Sequence, residues 1–403
     1  MKSIGSIARQ SLFCAFAALI ICSDAATAQG KLIIGYYPSW KWNAPAPTML
    51  PENIPYAKLS IINYAFFYPL ADGSVAGRDT VGDAVILGGK RYDADGRGVQ
   101  GPSLVSLAKA HGVRVVLSVG GWDDSNNFPA VAASREKRTR FAHSCIDQIR
   151  QYGFEGIDID WEYPGFKDHN GTPADRQNAT LLLRETRDSL DAYGNVIGRH
   201  LLLTAAVAAS AANLAGFDME AVAPLLDMVN VMTYDFCDTW DALSGHNAPL
   251  YAPTAADTSR NVDAAFRFLA NSLGLSPKKI SLGVPFYGHS FAGCAALYAP
   301  HAGTDTVHFP PGALSYSIIA SKFGEFTRHW DEKARVPYLI GKKWNVLISY
   351  DDEASVREKA QYVIDHGAAG LIIWEITDDF MGDSQTPLLD TIARTFGGPG
   401  RVR

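Results

Sequence analysis

Short apolar runs alternate with amphipathic stretches along most of the chain. Eight runs have the character of buried strands and cover residues 31–37, 59–67, 113–121, 156–163, 201–207, 227–235, 279–286 and 370–375. Helical patterns cover residues 103–111, 135–152, 174–193, 257–272 and 353–366, and Thr386 and Pro387 suit the start of a last helix. Strands that are apolar throughout and alternate with helices predict a parallel sheet covered on both faces. Eight such units favour an α/β fold of the closed (β/α)₈ barrel type, or TIM barrel, over an open doubly wound sheet.

An insertion is predicted between the seventh and eighth strands. More than eighty residues separate these two apolar runs, and they include the patterned stretches "YSIIASKF" and "VPYLIGKKWNVLISY". The length and the patterns predict a small α+β insertion of residues 288–350 on top of the barrel. We expect residues 29–403 to form one catalytic unit that includes this insertion.

The first 28 residues have the pattern of a secretory signal peptide. Lys2 and Arg9 precede the apolar run "SLFCAFAALIIC", and Ala26 and Ala28 fit the small-residue cleavage pattern. The competing interpretation is a buried N-terminal helix. A lipoprotein is disfavoured because Ile21 stands where a small residue is expected before a lipidated cysteine. We therefore expect a secreted protein, either extracellular or, in a Gram-negative bacterium, periplasmic.

Charge and cysteine content exclude several other classes. The net charge is −6, with acids and bases interspersed, so the chain has no basic footprint for nucleic acid. Beyond the first 28 residues, no apolar stretch approaches the roughly 20 residues of a membrane-spanning helix. Three cysteines remain there, Cys145, Cys237 and Cys294, and their spacing does not resemble a zinc site. Neither nucleic acid nor membrane is an expected partner.

Three acids occupy alternate positions in the fourth run, "GIDIDWEY". Asp158, Asp160 and Glu162 should share the inner face of the strand, while Ile157, Ile159 and Trp161 face the helices. Stacked carboxylates raise the pKa of at least one member, which can keep a glutamic acid protonated as a general acid. A divalent-cation site is an alternative, because hard cations prefer several oxygen ligands. A solvated acidic strand end is the third possibility, and the spacing alone does not choose among them.

Other predicted strand ends carry polar and aromatic residues. Tyr234 and Asp235 end the sixth strand, Trp374 ends the eighth, and Tyr36 lies near the end of the first. In "SVGGW", two glycines allow a tight turn that places Trp122 at the mouth of the barrel. Flat aromatic rings stack against the apolar faces of sugars. An acid ringed by such aromatics is what a glycosidase requires.

Six motifs together resemble family 18 glycoside hydrolases, the chitinases. They are "GIDIDWEYP", "SVGGW", "INYAFF", "MTYDF…SGHNAPLY", "GVPFYG" and "IIWE", and they occur in the family's order over nearly all of the chain after residue 28. The resemblance implies a (β/α)₈ barrel with an α+β insertion and no metal or other cofactor. It also implies chitin or N-acetylglucosamine oligosaccharides as the binding partner.

The resemblance implies substrate-assisted, retaining hydrolysis. Glu162 would protonate the leaving oxygen while the substrate's own N-acetyl oxygen attacks the anomeric carbon. Asp160 would orient the acetamido group, and Asp158 would hold a proton and let Asp160 turn. Tyr234 would bind the acetamido carbonyl and Asp235 the distorted sugar. The expected substrate-binding residues are Trp374 as the hydrophobic floor, with Tyr36, Phe66, Trp122, Met232 and Tyr287 lining the pocket.

Three positions depart from the family's usual pattern. Glu155 stands where aspartate is common, and its place off the acid row predicts a structural role. Cys237 replaces a frequent histidine and is expected to be a core thiol. His289 replaces a common arginine, which leaves a substrate contact at this position open. The alternatives to a chitinase are a lectin-like sugar-binding protein and an enzyme acting on another glycan, for example an endo-β-N-acetylglucosaminidase.

Overall fold

The computed structural model describes residues 30–43, 48–92, 97–255, 257–309 and 314–400. The predicted signal peptide, residues 1–28, lies outside these ranges. None of the described helices combines the length and apolar content needed to cross a membrane.

Eight parallel strands close into a barrel. They are β1 (Leu32–Pro38), β2 (Ile61–Pro69), β3 (Arg114–Gly120), β4 (Gly156–Asp160), β5 (Leu202–Ala208), β6 (Met228–Met232), β7 (Ile280–Pro285) and β8 (Gly370–Trp374). Each strand pairs with the next, and β1 pairs with both β2 and β8, which closes the sheet. The (β/α)₈ barrel predicted from the apolar runs is confirmed. A short strand, Val75–Gly77, adds an antiparallel partner to β2 that the pattern did not predict.

Helices cover the outside of the barrel, and one further helix, Tyr316–Ser321, lies in the segment between β7 and β8. The α-helices are Thr80–Ile86, Leu104–Ala110, Phe128–Ala133, Arg135–Tyr152, Asp175–Ile197, Ala211–Leu214, Met219–Val222, Val262–Arg267, Tyr316–Ser321, Glu353–Asp365 and Pro387–Phe396. The predicted helix at 257–272 is shorter, because the α-helix starts at Val262 and ends in a π-helical turn, Phe268–Ser272. A small two-stranded ribbon, Lys90–Tyr92 with Gly98–Gln100, lies apart from the barrel sheet.

Local sequence determines where the helix that precedes β4 begins and ends. Ser134 caps the helix Arg135–Tyr152 by accepting a hydrogen bond from the Lys137 N–H. Gly153 ends the helix with a φ of 80°, a left-handed conformation that costs glycine little. The chain then turns directly into the acid-bearing strand.

Two apolar layers hold the fold together. The outer layer packs alternate strand residues such as Ile33 and Ile157 against the helices. Trp161 belongs to this layer and stacks on Phe128 with ring centroids 5.1 Å apart. Inside the barrel, a smaller cluster includes Tyr36. Burial of each large side chain stabilises the fold by about 1.5–3 kcal/mol.

The segment between β7 and β8 contains a separate antiparallel sheet. Its five strands are Tyr287–Ala292, Leu314–Ser315, Phe326–Asp331, Val336–Gly341 and Val346–Ser349, and the helix Tyr316–Ser321 accompanies them. The first strand starts two residues after β7 ends, so Tyr287 stands at the mouth of the barrel. This agrees with the α+β insertion expected from the sequence.

Candidate active site

The acids of the fourth strand lie in a row inside the barrel. Asp158 is 0% exposed and Asp160 is 4% exposed. Glu162 is half-buried and lies two residues beyond the end of β4. The predicted alternation is present, because Ile157 and Ile159 belong to the outer layer.

Asp158 at the base of the row is surrounded by hydrogen-bond donors from four other strands. It accepts from Tyr36 Oη at 2.8 Å, Ser118 Oγ at 2.8 Å, Asn230 Nδ2 at 3.1 Å and Thr204 Oγ1. Burial raises the pKa of Asp158, while these donors act in the opposite direction by stabilising the carboxylate. Each carboxylate oxygen receives two hydrogen bonds, which is the full capacity of an ionised carboxylate.

Sequence reasoning missed three of these donors. Ser118, Thr204 and Asn230 are single polar residues inside otherwise apolar strands, in "VVLSVGG", "LLLTAAV" and "DMVNVMTYD". Parallel register puts Ser118 and Thr204 directly beside Asp158. A lone polar residue at a similar place in each of several barrel strands is the signal that could have found them.

Asp160 above it has a different environment. Its Oδ1 atom is buried and has no hydrogen-bond partner among the described residues. Burial first, and then the charges of Glu162 and Asp158, hold its pKa well above the usual range. The surroundings of Asp160 therefore favour its protonated form.

Glu162 has a pKa suited to proton transfer near neutrality. Burial is the main cause of its rise from 4.5 to about 7, and the charges of Asp235 and Asp123 add to it. A hydrogen bond with Tyr163 acts in the opposite direction. A carboxyl group that is half-protonated near neutral pH can both donate and accept a proton.

Asp235 is held by several contacts at the end of the sixth strand. Its backbone has a φ of 55°, and its N–H donates to Asn247 Oδ1 at 2.8 Å. Its Oδ1 atom accepts from Tyr287 Oη at 2.7 Å and contacts His289 Nε2 at 2.8 Å. The other nitrogen of His289 lies 3.3 Å from Asp238. His289, whose role the sequence left open, thus bridges two carboxylates of the loop after β6.

Tyr234 is packed tightly against the seventh strand. A Cβ atom added to Gly283 would lie 2.7 Å from a ring atom of Tyr234, so only glycine fits there. Burial and the charges of Asp160 and Asp235 raise the pKa of Tyr234 well above its ordinary value. The phenol therefore keeps its proton and is available as a hydrogen-bond donor.

Aromatic rings form one wall of the mouth. Trp374 stacks on Phe66 at 5.5 Å between ring centroids, and Tyr36 lies 5.6 Å from Trp374. Trp40, which was not among the predicted site residues, is 45% exposed and lies 6.5 Å from Trp374. Met232, the last residue of β6, is half-buried.

Trp122 follows the turn after β3. Gly120 and Gly121 have φ values of 121° and 90°, as the predicted tight turn requires. A Cβ atom on Gly121 would lie 2.7 Å from the Phe66 ring, so glycine also permits this close approach. Trp122 is 51% exposed and its ring contacts Phe166 at 5.6 Å between centroids.

The other two departures from the family pattern, Glu155 and Cys237, lie outside the acid row. Glu155 forms an ion pair with Arg199, away from the acid row. Cys237 is buried in a small apolar cluster with Phe291 and Cys294. Within the described ranges, no three His, Cys, Asp or Glu side chains are grouped to hold a metal ion.

A barrel mouth with a row of protonatable acids beside stacked aromatic rings is typical of glycoside hydrolases. The chain belongs to glycosyl hydrolase family 18, because the model of that family, "Glycosyl hydrolases family 18", matches residues 32–379. The family predicted from the six motifs is confirmed.

The chain is similar in sequence or fold to several chitinases. Chitinase A1 of Niallia circulans is 34% identical over 89% of the chain, and the chain spans 58% of that protein's length. A Group IV chitinase of Ostrinia furnacalis has a TM-score of 0.80 at 28% identity, covering 91% of this chain and 100% of the other. A Group II chitinase catalytic domain from the same organism, solved as a mutant with penta-N-acetylchitooctaose, has a TM-score of 0.78 at 28% identity and covers 93% of this chain and 99% of the other.

Proposed function

We propose that this protein is a secreted chitinase that hydrolyses β-1,4-linked N-acetylglucosamine polymers or oligomers. Catalysis is retaining and substrate-assisted, with Glu162 as general acid and base. The observation that carries the proposal is the acid row at the end of β4, in which Glu162, whose pKa burial raises to about 7, lies above Asp160, a buried carboxyl whose pKa is also raised. The chitinases similar to this chain support the choice of substrate.

Bond cleavage begins with proton transfer from Glu162. The protonated carboxyl gives its proton to the glycosidic oxygen as the bond from that oxygen to the anomeric carbon breaks. The N-acetyl oxygen of the same sugar attacks the anomeric carbon from the opposite face. Water then attacks this carbon, the ionised Glu162 takes the proton from the water, and the acetamido group leaves. Two inversions retain the configuration.

Asp160 acts on the substrate's acetamido group. Its Oδ1 atom has no partner among the described residues, so the side chain can turn toward the substrate without breaking a hydrogen bond at that atom. The turned, ionised carboxylate accepts the acetamido N–H and stabilises the positive charge that develops beside it. The proton that Asp160 gives up moves to Asp158. The hydroxyl groups of Tyr36 and Ser118 can rotate and accept a hydrogen bond from the protonated Asp158 carboxyl.

The neighbouring residues position the sugar. The Tyr234 phenol donates a hydrogen bond to the acetamido carbonyl oxygen and so fixes the direction from which that oxygen attacks the anomeric carbon. Asp235, fixed by Tyr287 and His289, contacts the distorted ring. Trp374 provides the hydrophobic floor, supported from behind by Phe66.

The proposal includes the location of the protein and the division of its chain. Residues 1–28 direct export and are removed. Residues 29–403 form the catalytic unit, and residues 288–350 are an insertion that walls one side of the groove. N-terminal sequencing of the mature protein from culture medium or periplasm tests this. An N-terminus at residue 1 in the cytoplasm would contradict it.

A substrate panel tests the activity. We expect release of product from N-acetylglucosamine oligomers and none from cello-oligosaccharides, because only the former carry the assisting acetamido group. Equal cleavage of both would overturn the assisted mechanism. Cleavage of an N-glycosylated protein but not of oligomers would indicate an endo-β-N-acetylglucosaminidase instead. Binding of oligomers without cleavage would indicate a lectin-like protein.

A further inference from the structure

We propose that His169 is a positioning residue that fixes the main chain of Glu162, and with it the carboxyl group of the acid. The inference rests on the proposed function. His169 is 8% exposed and ends a short 3₁₀ turn, Lys167–His169, in the loop after β4. No step of the proposed reaction uses its imidazole.

The main chain of Glu162 lies beyond the barrel ladder. The last β4 residue paired with β3 is Asp160, opposite Gly120. Past this point no strand among the described residues is paired with the chain. Instead, the Glu162 N–H donates to Ser125 Oγ at 2.9 Å, and the Glu162 carbonyl contacts His169 Nδ1. Two side chains from two different loops thus replace the hydrogen bonds that a strand would have supplied.

The contact determines which nitrogen of His169 carries a proton. A carbonyl oxygen can only accept, so Nδ1 must be the donor. Nδ1 donates both in the neutral Nδ1–H tautomer and in the imidazolium ion.

The ring itself is held by aromatic neighbours. Its centroid lies 4.6 Å from Trp122, edge to face at 66°, and 5.3 Å from Phe166. Asn170, next in the chain, donates to the Asn126 carbonyl and joins the two loops a second time. His169 is thus fixed between the exposed Trp122 and the backbone of the acid.

A proton donor must be placed accurately to act. The reacting atoms must lie within about 0.5 Å of their productive positions, and a misplacement of about 1 Å can reduce the rate by about 10²-fold. Loss of the His169 hydrogen bond should therefore lower kcat more than it raises KM.

The kinetic test compares two variants with a matched control. Asparagine can place its Nδ2 donor where Nδ1 of histidine lies, whereas leucine has no donor. With a fluorogenic chitotriose conjugate, we expect His169→Leu to lower kcat by about 10- to 10²-fold with KM within about threefold of wild type. His169→Asn should keep most of kcat. His366→Leu should match wild type, since His366 makes the same kind of contact, with the Tyr362 carbonyl at 2.9 Å, before the amino end of β8.

Two kinetic results would overturn the proposal. They are a His169→Leu enzyme with kcat within twofold of wild type, and a His169→Asn enzyme that loses as much as the leucine variant. If His169→Leu does not fold, His169→Gln takes its place, because its amide lies one carbon too far along the side chain. In that case the kcat of His169→Gln should fall while His169→Asn retains most of the wild-type kcat. Equal kcat values for the two variants would refute the positioning role of His169.

An independent measurement does not depend on activity. Nitrogen-15 NMR of the histidine rings, at a pH where they are neutral, should show His169 as the Nδ1–H tautomer. An Nε2–H tautomer would overturn the positioning role. An inactive wild type with the Nδ1–H tautomer would overturn the proposed function alone and would support the placement of the Glu162 main chain.

Discussion

Replacing Glu162 with glutamine should stabilise the protein at alkaline pH. The carboxyl has a pKa of about 7 in the folded protein against 4.5 ordinarily. Well below pH 4.5 it is neutral in both folded and unfolded states and has no effect. As the pH rises through that value the unfolded state ionises first, so stability is lost until the folded carboxyl also ionises near pH 7. Glutamine does not ionise, so the Glu162→Gln variant does not lose stability in this way as the pH rises.

The size of the effect follows from the two pKa values. Ionisation of Glu162 lowers the free energy of unfolding of the wild type, relative to acid pH, by about 1 kcal/mol at pH 5 and about 3 kcal/mol at pH 8.5. The advantage of Glu162→Gln should therefore grow by about 2–3 kcal/mol between these pH values. Comparing the two pH values removes any pH-independent difference between the side chains.

Urea unfolding followed by tryptophan fluorescence measures this difference. Glu220→Gln is the matched control, because Glu220 is an exposed glutamate in the short helix Met219–Val222. We expect the control to stay within about 0.5 kcal/mol of wild type at both pH values. If the gap between Glu162→Gln and wild type is the same at both, the carboxyl is not destabilised by burial and its role as a neutral-pH acid loses its basis.

Two further predictions concern the groups around the acid. In Asp235→Asn the charge that helps raise the pKa of Glu162 is gone, so the alkaline limb of the kcat/KM profile should move below its wild-type position near pH 7; an unmoved limb would refute the coupling. In Gly283→Ala the new methyl group would meet the Tyr234 ring and the Thr233 backbone nitrogen, each at 2.7 Å, so Tyr234 and the main chain that carries it must shift, and kcat/KM should fall by about 10²-fold. Gly324→Ala, which meets open space, should match wild type, and equal activity in both variants would show that the position of Tyr234 is unimportant.

The barrel could be predicted because its strands are apolar on both faces. Burial between the helices and the barrel interior leaves a strong pattern in the sequence, and eight repeats of it limit the possible folds. The acid row was equally accessible, since alternation along one strand is a local property. Asp158, Asp160 and Glu162 could be assigned to one face without knowledge of any other strand.

The partners of the row could not be predicted in the same way. Ser118, Thr204 and Asn230 become donors to Asp158 only through the register of separate strands. His169 meets Glu162 through an irregular loop, which has no periodicity to read. Such contacts depend on tertiary geometry, so a single sequence shows the polar residues but not their partners.

The central claim is that Glu162 protonates the leaving group during cleavage of N-acetylglucosamine oligomers. The most direct measurement is release of a fluorophore from a chitobiose or chitotriose conjugate by wild type and by Glu162→Gln. The exchange preserves the shape of the side chain and removes the proton, so the rate should fall by about 10²–10⁴-fold or more. Equal rates in the two proteins would contradict the assignment of the acid. A wild type that binds the oligomers but releases nothing would show a sugar-binding protein in place of an enzyme.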